Sequence, residues 1–348
     1  RADLVDDVVD QALGVLVQVA AAEADQVAKA RMGADADAVL ARRQSLSISV
    51  RMDALEEVER EEARDLGLRV FVGKRQAVVS GSDTSASARE KLVERAVAMA
   101  RLAPEDPYAS LADPALLAKG PRPDLDLLDP YEPSPEELEH LARTAEASAL
   151  TVEGVSNSDG GSASWSSAKW LLATSDGFMG THAASGFGLS ASVIAGEGAS
   201  MERGGEGRST RWHTDLPDAA ALGLEAGRRA VARLGARKIE STTAPVIFEN
   251  RLAISLFGPM IGAISGSAVA RGVSFLKDQL GQPLFSPGFR ISDDPHRVRG
   301  LGSSPFDDEG VANRSMNLIE DGVLTTWLLN TASAKQLGMV STGHASRS

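Results

Sequence analysis

The sequence contains no cysteine among its 348 residues. Disulfide bonds, thiolate metal ligands and a cysteine nucleophile are therefore excluded, and a reducing compartment fits, so we expect a cytoplasmic protein. The sequence also lacks an apolar run long enough to cross a bilayer, and it opens with Asp3, Asp6 and Asp7 instead of the basic stretch of a signal peptide. We therefore expect neither a spanning helix nor a secretory leader, and no membrane partner.

Histidine is scarce and scattered. A helical zinc site needs two histidines one turn apart, because both imidazoles must reach one ion from the same face. No two of the five histidines meet this condition; they are His140, His182, His213, His296 and His344. A phosphate-binding loop and a Gly-x-Ser-x-Gly nucleophile turn are likewise missing. These absences exclude a local helical zinc site, while ligands that converge from distant parts of the chain stay open as an alternative. No cofactor is expected in this chain.

Positive charge is deficient in the first part of the chain. The formal net charge is −12, and residues 1–150 hold 18 Lys and Arg against 29 Asp and Glu. Such an acidic surface repels phosphate backbones, so no nucleic-acid partner is expected.

The patterns that are present predict an α+β fold. An N-terminal α/β domain with an antiparallel sheet and flanking helices is expected over residues 1–103, and a proline-rich connector over 104–134. A β-rich middle domain with flanking helices follows over 135–236, and a C-terminal α+β domain over 237–348. Together these last two segments form the β-rich C-terminal region.

Individual elements follow from periodicity and capping residues. Apolar residues at helical spacing predict a helix at the start of the chain, and alternation predicts strands over 45–51, 66–82 and 162–198 with a turn at Gly73. Helices are predicted after Asp83 or Ser85, with Leu92, Ala96, Ala98 and Met99 turned inward, and after Ser134. A third helix should end near Gly235, a short strand should occupy 244–250, and a strand and short helix should follow within 322–339.

The segment "DDPHRVRGLGSSPFDDEG" (residues 293–310, the carboxylate loop) concentrates ionisable side chains. Two interpretations stay open. The loop is either a turn-rich surface or interface segment whose carboxylates accept backbone N–H bonds, or an oxygen-ligand site for a hard cation. The candidate residues at a cleft or interface are Asp293, Asp294, His296, Asp307, Asp308 and Glu309.

Several long stretches resemble one known family. Residues 66–85 ("LGLRVFVGKRQAVVSGSDTS"), 96–114, 234–311 and 318–346 are similar to the TldD/PmbA family, also named modulators of DNA gyrase, and within it to the PmbA (TldE) branch. The resemblance implies one subunit of the two-subunit TldD/TldE metalloprotease, which acts on peptides and unfolded proteins. Family members continue beyond the last stretch, so the C-terminal domain is expected to be incomplete here.

The resemblance also implies that this subunit lacks the metal site. The TldD-type subunit carries His-Glu-x-x-x-His, and those three side chains fall on Phe257, Gly258 and Gly262 here. Phenylalanine and glycine cannot bind zinc, and glycine cannot act as a general base. No catalytic residue is therefore expected in this chain, and zinc is expected in the partner subunit.

The resemblance leaves the partner open. The chain is expected to pair with a TldD-type paralogue as a heterodimer that handles peptide substrates, with an open strand edge in 162–198 as one way to admit them. The alternative is a homodimer that binds peptides or a regulatory partner without catalysis. A third hypothesis keeps catalysis in this chain through a cation held by the carboxylate loop.

Overall fold

A computed structural model describes residues 34–347 of the chain. Two antiparallel sheets and their helices make up the fold, which confirms the predicted α+β class. The strands are β1 (Asp35–Arg51), β2 (Ala54–Val72), β3 (Arg75–Gly81), β4 (Val155–Thr174), β5 (Met179–Ala195), β6 (Glu202–Thr210), β7 (Ile291–Asp293), β8 (Met316–Glu320) and β9 (Val323–Leu324). The helices are α1 (Ala86–Leu102), α2 (Pro135–Leu150), α3 (Ala219–Val231), α4 (Asn250–Ala263), α5 (Gly266–Ala270) and α6 (Thr331–Gln336).

The large sheet has the order β3-β2-β1-β4-β5-β6. The β2–β3 hairpin turns at Gly73, whose φ of 63° suits glycine, as predicted. β1 lies at the centre and pairs with β2 on one side and with β4 on the other. Strands from residues 1–103 and from 135–236 therefore share one sheet, while the proposed domain boundaries remain a prediction.

Helices α1, α2 and α3 all pack on one face of this sheet, which we call the helical face. Side chains alternate between faces along a strand. On β1 the even-numbered residues point to the helical face: Leu40 belongs to the core under α1, and Leu46 and Ile48 belong to the core under α2 and α3. The same face thus carries two separate apolar cores, one at each end of β1.

The helices begin at the predicted capping residues. Ser85, and not Asp83, is the N-cap of α1, and its hydroxyl accepts a hydrogen bond from the Ala88 N–H. Ser134 caps α2 in a reciprocal arrangement with Glu137, and Pro135 occupies the first helical position. Both helices are therefore specified locally by their first residues.

The tip of the β1–β2 hairpin is held by α2. Met52 and Asp53 both have positive φ, 51° and 60°, which costs about 1 kcal/mol for each residue. The buried carboxylate of Glu146 accepts hydrogen bonds from the N–H groups of both residues and from the Ser158 hydroxyl. This carboxylate offsets the backbone strain and fixes the tip against the helix.

Residues 237–347, which are called the C-terminal region from here on, have a core of their own. Helices α4 to α6 and the sheet β7-β8-β9 surround a set of buried apolar side chains, namely Met260, Ile264, Leu318, Ile319, Leu324, Trp327, Leu329 and Ala334. β9 and α6 are the strand and the short helix that were predicted within residues 322–339. No helix between residues 34 and 347 is both long and apolar enough to cross a membrane.

Two predictions about side-chain orientation and strand formation are wrong. Ala98 and Met99 of α1 face outward, because the buried stripe follows the helical repeat through Val93, Val97 and Ala100. Residues 244–249 do not form a strand, and α4 begins at Asn250. Those residues have strand-forming side chains, but no described strand lies beside them to complete the hydrogen bonds.

Three other expectations concern the strand edges within 162–198, the end of the third helix and the start of the chain. The strands predicted within 162–198 are present. β4 is paired with β1 and β5, whereas β5 pairs with β6 only over Phe187–Ala195, so among the described strands Met179–Gly186 has a neighbour on one side only. The third helix ends at Val231, earlier than Gly235. The helix predicted at the start of the chain lies outside the described residues.

Replacing Glu146 by alanine should destabilise the protein by about 3 kcal/mol, because two backbone N–H groups and a hydroxyl lose their acceptor at a strained turn. Chemical denaturation measures the change. Glu153→Ala is the matched control, since Glu153 is an exposed glutamate just beyond the same helix, and should change stability by less than about 0.5 kcal/mol. Equal effects of the two variants would contradict the role of Glu146.

Candidate functional site

The carboxylate loop and residues 343–345 line a half-open cavity of about 520 Å³. Four of the six predicted residues line this cavity: Asp293, Asp294, Asp307 and Asp308. The opposite wall comes from Gly343, His344 and Ala345. The structure thus brings four of the six candidate residues to one cavity. The other two candidates, His296 and Glu309, do not line it.

Asp307 is the most buried acid of the cavity, with 5% of its surface exposed. Its Oδ1 accepts hydrogen bonds from the N–H groups of Glu309 and Val311, and its Oδ2 accepts from Ala345 N–H at 3.0 Å. Burial nevertheless raises the pKa of Asp307 to about 6, with the nearby Glu309 carboxylate acting in the same direction against these hydrogen bonds. Asp307 therefore ties the loop to the C-terminal segment and can exchange a proton near neutral pH.

Asp293 and Asp294 also line the cavity and are less buried than Asp307. The Oδ2 of Asp293 is 3.3 Å from Nε2 of His344, whose Nδ1 is 2.9 Å from the Thr342 hydroxyl. Asp294 accepts hydrogen bonds from the Ser315 hydroxyl and from the His296 N–H, and these lower the pKa of its carboxyl group. Asp294 therefore stabilises a turn, as the first interpretation of the loop predicted.

His296 and Asp308 also have structural partners. The Nε2 of His296 is 2.8 Å from Oδ1 of Asn313, and the amide of Asn313 donates to the Ser304 carbonyl. Asp308 accepts a hydrogen bond from the Arg347 N–H at 2.6 Å. Both side chains thus connect the loop to neighbouring segments of the C-terminal region.

Glu309 points away from the cavity toward the large sheet. Its carboxylate accepts from the Thr331 N–H and lies 3.5 Å from a guanidinium nitrogen of Arg69 on β2. Arg69 also binds Asp37 of β1, which is fully buried, and Arg347 binds the other oxygen of Asp37. Burial acts to lower the pKa of Arg69, but the carboxylates of Asp37 and Glu309 raise it. This buried ion network, Asp37, Arg69, Glu309 and Arg347, joins the C-terminal region to the sheet.

The positions of the expected metal motif lie on α4 and offer no ligand atoms. The Phe257 ring stacks near Phe289 with centroids 6.3 Å apart. A side-chain carbon added at Gly258 or Gly262 would meet nothing within 4 Å, so packing does not demand glycine there. Within residues 34–347, no three His, Asp or Glu side chains come together in a way that could hold one metal ion. The side chains at 257, 258 and 262 therefore offer no ligand to a zinc ion.

Sequence reasoning missed several residues of this region. His344 and Asn313 complete the cavity wall, and Asp37 and Arg347 complete the ion network. None of them belongs to a local motif, because their partners are far away along the chain. Asp37 gave no signal either, because its place in a strand between the buried residues Ala36 and Ala38 is seen only in the structure.

Comparison with known families covers nearly the whole described chain. Residues 36–100 match a model described as PmbA/TldA metallopeptidase domain 1, residues 128–234 match the central domain, and residues 241–348 match the C-terminal domain. The chain therefore belongs to the PmbA/TldD family of metallopeptidases.

Two curated relatives carry the same family name. The chain is 36% identical to the metalloprotease PmbA of Escherichia coli over 97% of its own length and 73% of that protein. It is 35% identical to a PmbA homologue of Haemophilus influenzae over 90% of its own length and 70% of that protein.

Solved structures share the fold. A Bacteroides thetaiotaomicron protein named as a modulator of DNA gyrase has a TM-score of 0.84 and 26% identity over 89% of this chain and 71% of that one. TldE from Thermococcus kodakarensis has a TM-score of 0.74 at 20% identity, covering 89% of this chain and 70% of that one, which shows likeness of fold alone.

The carboxyl carbon of Asp307 should titrate near pH 6 in an NMR experiment on aspartate-labelled protein. Because the folded state holds a proton that the unfolded state has already lost, Asp307 makes the free energy of unfolding fall by about 3 kcal/mol as pH rises from about 4 to 6. Asp307→Asn removes this decrease, so its stability relative to wild type should rise over that range. Parallel stability curves would show that the pKa is not raised.

Arg69→Met should destabilise the protein by about 3 kcal/mol, because Glu309 loses its arginine and Asp37 keeps only one of two. Arg43→Met is the matched control, since Arg43 lies on the same sheet and its salt bridge within the described part of the chain is an exposed contact of 4.0 Å with Asp65. It should cost less than about 1 kcal/mol. Thermal and urea unfolding measure the stability of both variants. Similar losses of stability would contradict the role of the ion network.

Proposed function

We propose that this chain is the non-metal subunit of a TldD/TldE-type metalloprotease that acts on peptides or unfolded proteins. The single observation that carries the proposal is the set of side chains at Phe257, Gly258 and Gly262. They offer no zinc ligand and no general base, although the family is one of metallopeptidases. In this proposal a TldD-type paralogue supplies zinc and the hydrolytic chemistry.

The surface of the C-terminal region supports a partner. Val246, Ile247, Leu252 and Ile254 are all more than half exposed and lie within one short segment. A cluster of large apolar side chains in contact with water is typical of a surface that another polypeptide covers. We place the contact with the paralogue there, and assign this chain the task of holding peptide beside the partner's zinc.

The remaining features define the setting of the proposed activity. The absence of cysteine supports a cytoplasmic location. Direct binding of DNA is not part of the proposal, although structural relatives are named after DNA gyrase, because a net charge of −12 opposes contact with a phosphate backbone.

The decisive test combines metal analysis with a peptide-cleavage assay. The purified chain should contain less than about 0.1 zinc per molecule and should not cleave peptides alone, since it has no ligand set. Mixed with its TldD-type paralogue, it should form a complex in native mass spectrometry and raise cleavage at least about tenfold. Ile247→Asp should weaken the complex, whereas Val78→Asp, an exposed valine on β3, should not.

Other outcomes would contradict the proposal in distinct ways. Stoichiometric zinc with activity in the isolated chain would mean that catalysis lies here. A stable self-dimer that does not exchange with the paralogue would favour the homodimeric binding protein instead.

A further inference from the structure

The large sheet has an open edge along the first part of β2. β3 pairs only with residues 66–72 of that strand. Over residues 54–65, which we call the β2 edge, β2 has β1 as its single neighbour among the described strands. Every second residue of such an edge directs its backbone N–H and C=O groups away from the sheet, where another strand can bind them.

Helix α2 holds the β2 edge in place. At the tip of the hairpin, Glu146 accepts hydrogen bonds from the N–H groups of Met52 and Asp53. Arg143 of the same helix binds the Asp53 side chain. The edge is therefore preformed, so an added strand does not have to order it on binding.

Apolar side chains are exposed along the β2 edge. All residues from 54 to 62 are exposed to solvent, and Leu55 and Val58 have 47% and 51% of their surface exposed. Both lie on the helical face, directly opposite Val50 and Ile48, which are buried in the core under α2. The apolar surface of this core thus continues to the rim of the sheet, where the side chains of an added strand can cover it.

The other face of the β2 edge carries a row of carboxylates. Glu57, Glu59 and Glu61, which we call the glutamate row, occupy alternate positions and point away from the helices, with neighbours about 7 Å apart. The residues directly opposite them on β1 are serines, at positions 49, 47 and 45. The neighbouring strand therefore supplies no positive charge to the row.

The glutamate row has no cation of its own in the part of the chain that the structure describes. The ion pairs nearby are made by Glu56 with Arg51 and by Arg60 with Glu62 and Glu132. Residues 54–62 hold five glutamates against one arginine. Carboxylates in this arrangement repel one another and attract a strand that has lysine or arginine at alternate positions.

The charge of the β2 edge selects among possible occupants. A second copy paired through the same edge places glutamates directly opposite glutamates, which is unfavourable in a sheet. Charged side chains at an edge also serve to prevent aggregation. That purpose alone does not account for the exposed Leu55 and Val58, because apolar side chains at an edge favour the addition of a strand.

We propose that the β2 edge binds an extended basic segment of polypeptide as an added strand. The lysine or arginine side chains of this segment contact the glutamate row, and its apolar side chains cover Leu55 and Val58 on the other face. The role of this contact rests on the proposed function, because the segment is then part of the peptide or unfolded protein that the complex cleaves. This chain thus selects substrates with basic stretches for its zinc-bearing partner.

Fluorescence anisotropy with the purified full chain and three labelled short peptides tests the proposal. The first peptide alternates lysine with valine, the second has glutamate in place of lysine, and the third keeps the lysines but has N-methyl groups on alternate backbone nitrogens. The first should bind at least about tenfold more tightly than the others, because the second lacks the positive charge and the third lacks the strand hydrogen bonds. Equal binding of the first and third peptides would reduce the contact to charge attraction and overturn the proposal.

Amide hydrogen exchange shows where the lysine peptide binds. The peptide should slow exchange at backbone amides within residues 54–65. Slowed exchange elsewhere, without an effect on the β2 edge, would overturn the proposal. A self-dimer of the free chain in which these amides are already protected would also overturn it, because a second copy would then occupy the edge.

Matched glutamate variants connect the affinity to the glutamate row. Glu59→Lys should weaken binding of the lysine peptide about fivefold or more, because an attraction becomes a repulsion. Glu94→Lys makes the same change of net charge at an exposed position on α1, and should change the affinity less than about twofold. Unfolding curves of both variants confirm that folding is intact. Equal effects of the two substitutions would overturn the proposal.

Failure of the β2 edge can be told apart from failure of the proposed function. No binding of the lysine peptide, while the mixture with the paralogue still cleaves, would overturn the β2 edge alone. Binding as expected, without any effect of this chain on cleavage by the paralogue, would overturn the proposed function and leave the peptide contact. Loss of both would overturn both.

Discussion

The position of the C-terminal region depends on the ion network of Asp37, Arg69, Glu309 and Arg347. Asp37 is fully buried on the central strand, and two arginines from different parts of the chain neutralise it. A buried carboxylate without such partners would be very costly, so the region must dock in the one orientation that brings Arg347 and Glu309 to the sheet. The ion network also fixes the position of the carboxylate loop, because Glu309 directly follows Asp307 and Asp308 in the sequence.

Besides the cavity beside the carboxylate loop, a larger one of about 860 Å³ lies on the large sheet. The two differ in what lines them. The smaller one lies beside the carboxylate loop, and its carboxylates mostly accept hydrogen bonds from backbone N–H groups. The larger one lies where two apolar cores fail to meet, and its walls come from four strands and the connector. The first therefore lies where the loop is tied to Ala345 and Arg347, and the second lies on the sheet between the two apolar cores.

Local patterns in the sequence predicted the elements that depend on neighbouring residues. Ser85 and Ser134 mark helix starts because a cap acts within one turn, and alternation around Gly73 marks a hairpin. The pairing of β1 with β4 and the two arginine partners of Asp37 were not predicted, because each joins residues that are distant in sequence. Residues 244–249 illustrate the opposite case, in which a strand-like pattern finds no described neighbouring strand.

The pairing of β1 with β4 also has a consequence for how the chain folds during synthesis. β4 follows β1 in the chain only after α1, the connector and α2. During synthesis, the edge of β1 that pairs with β4 therefore stays unpaired until all three have been synthesised. Contacts of such long sequence separation form slowly. An exposed strand edge that persists for this time is a point of aggregation, so we expect yield in the cell to depend on chaperones more than the final stability suggests.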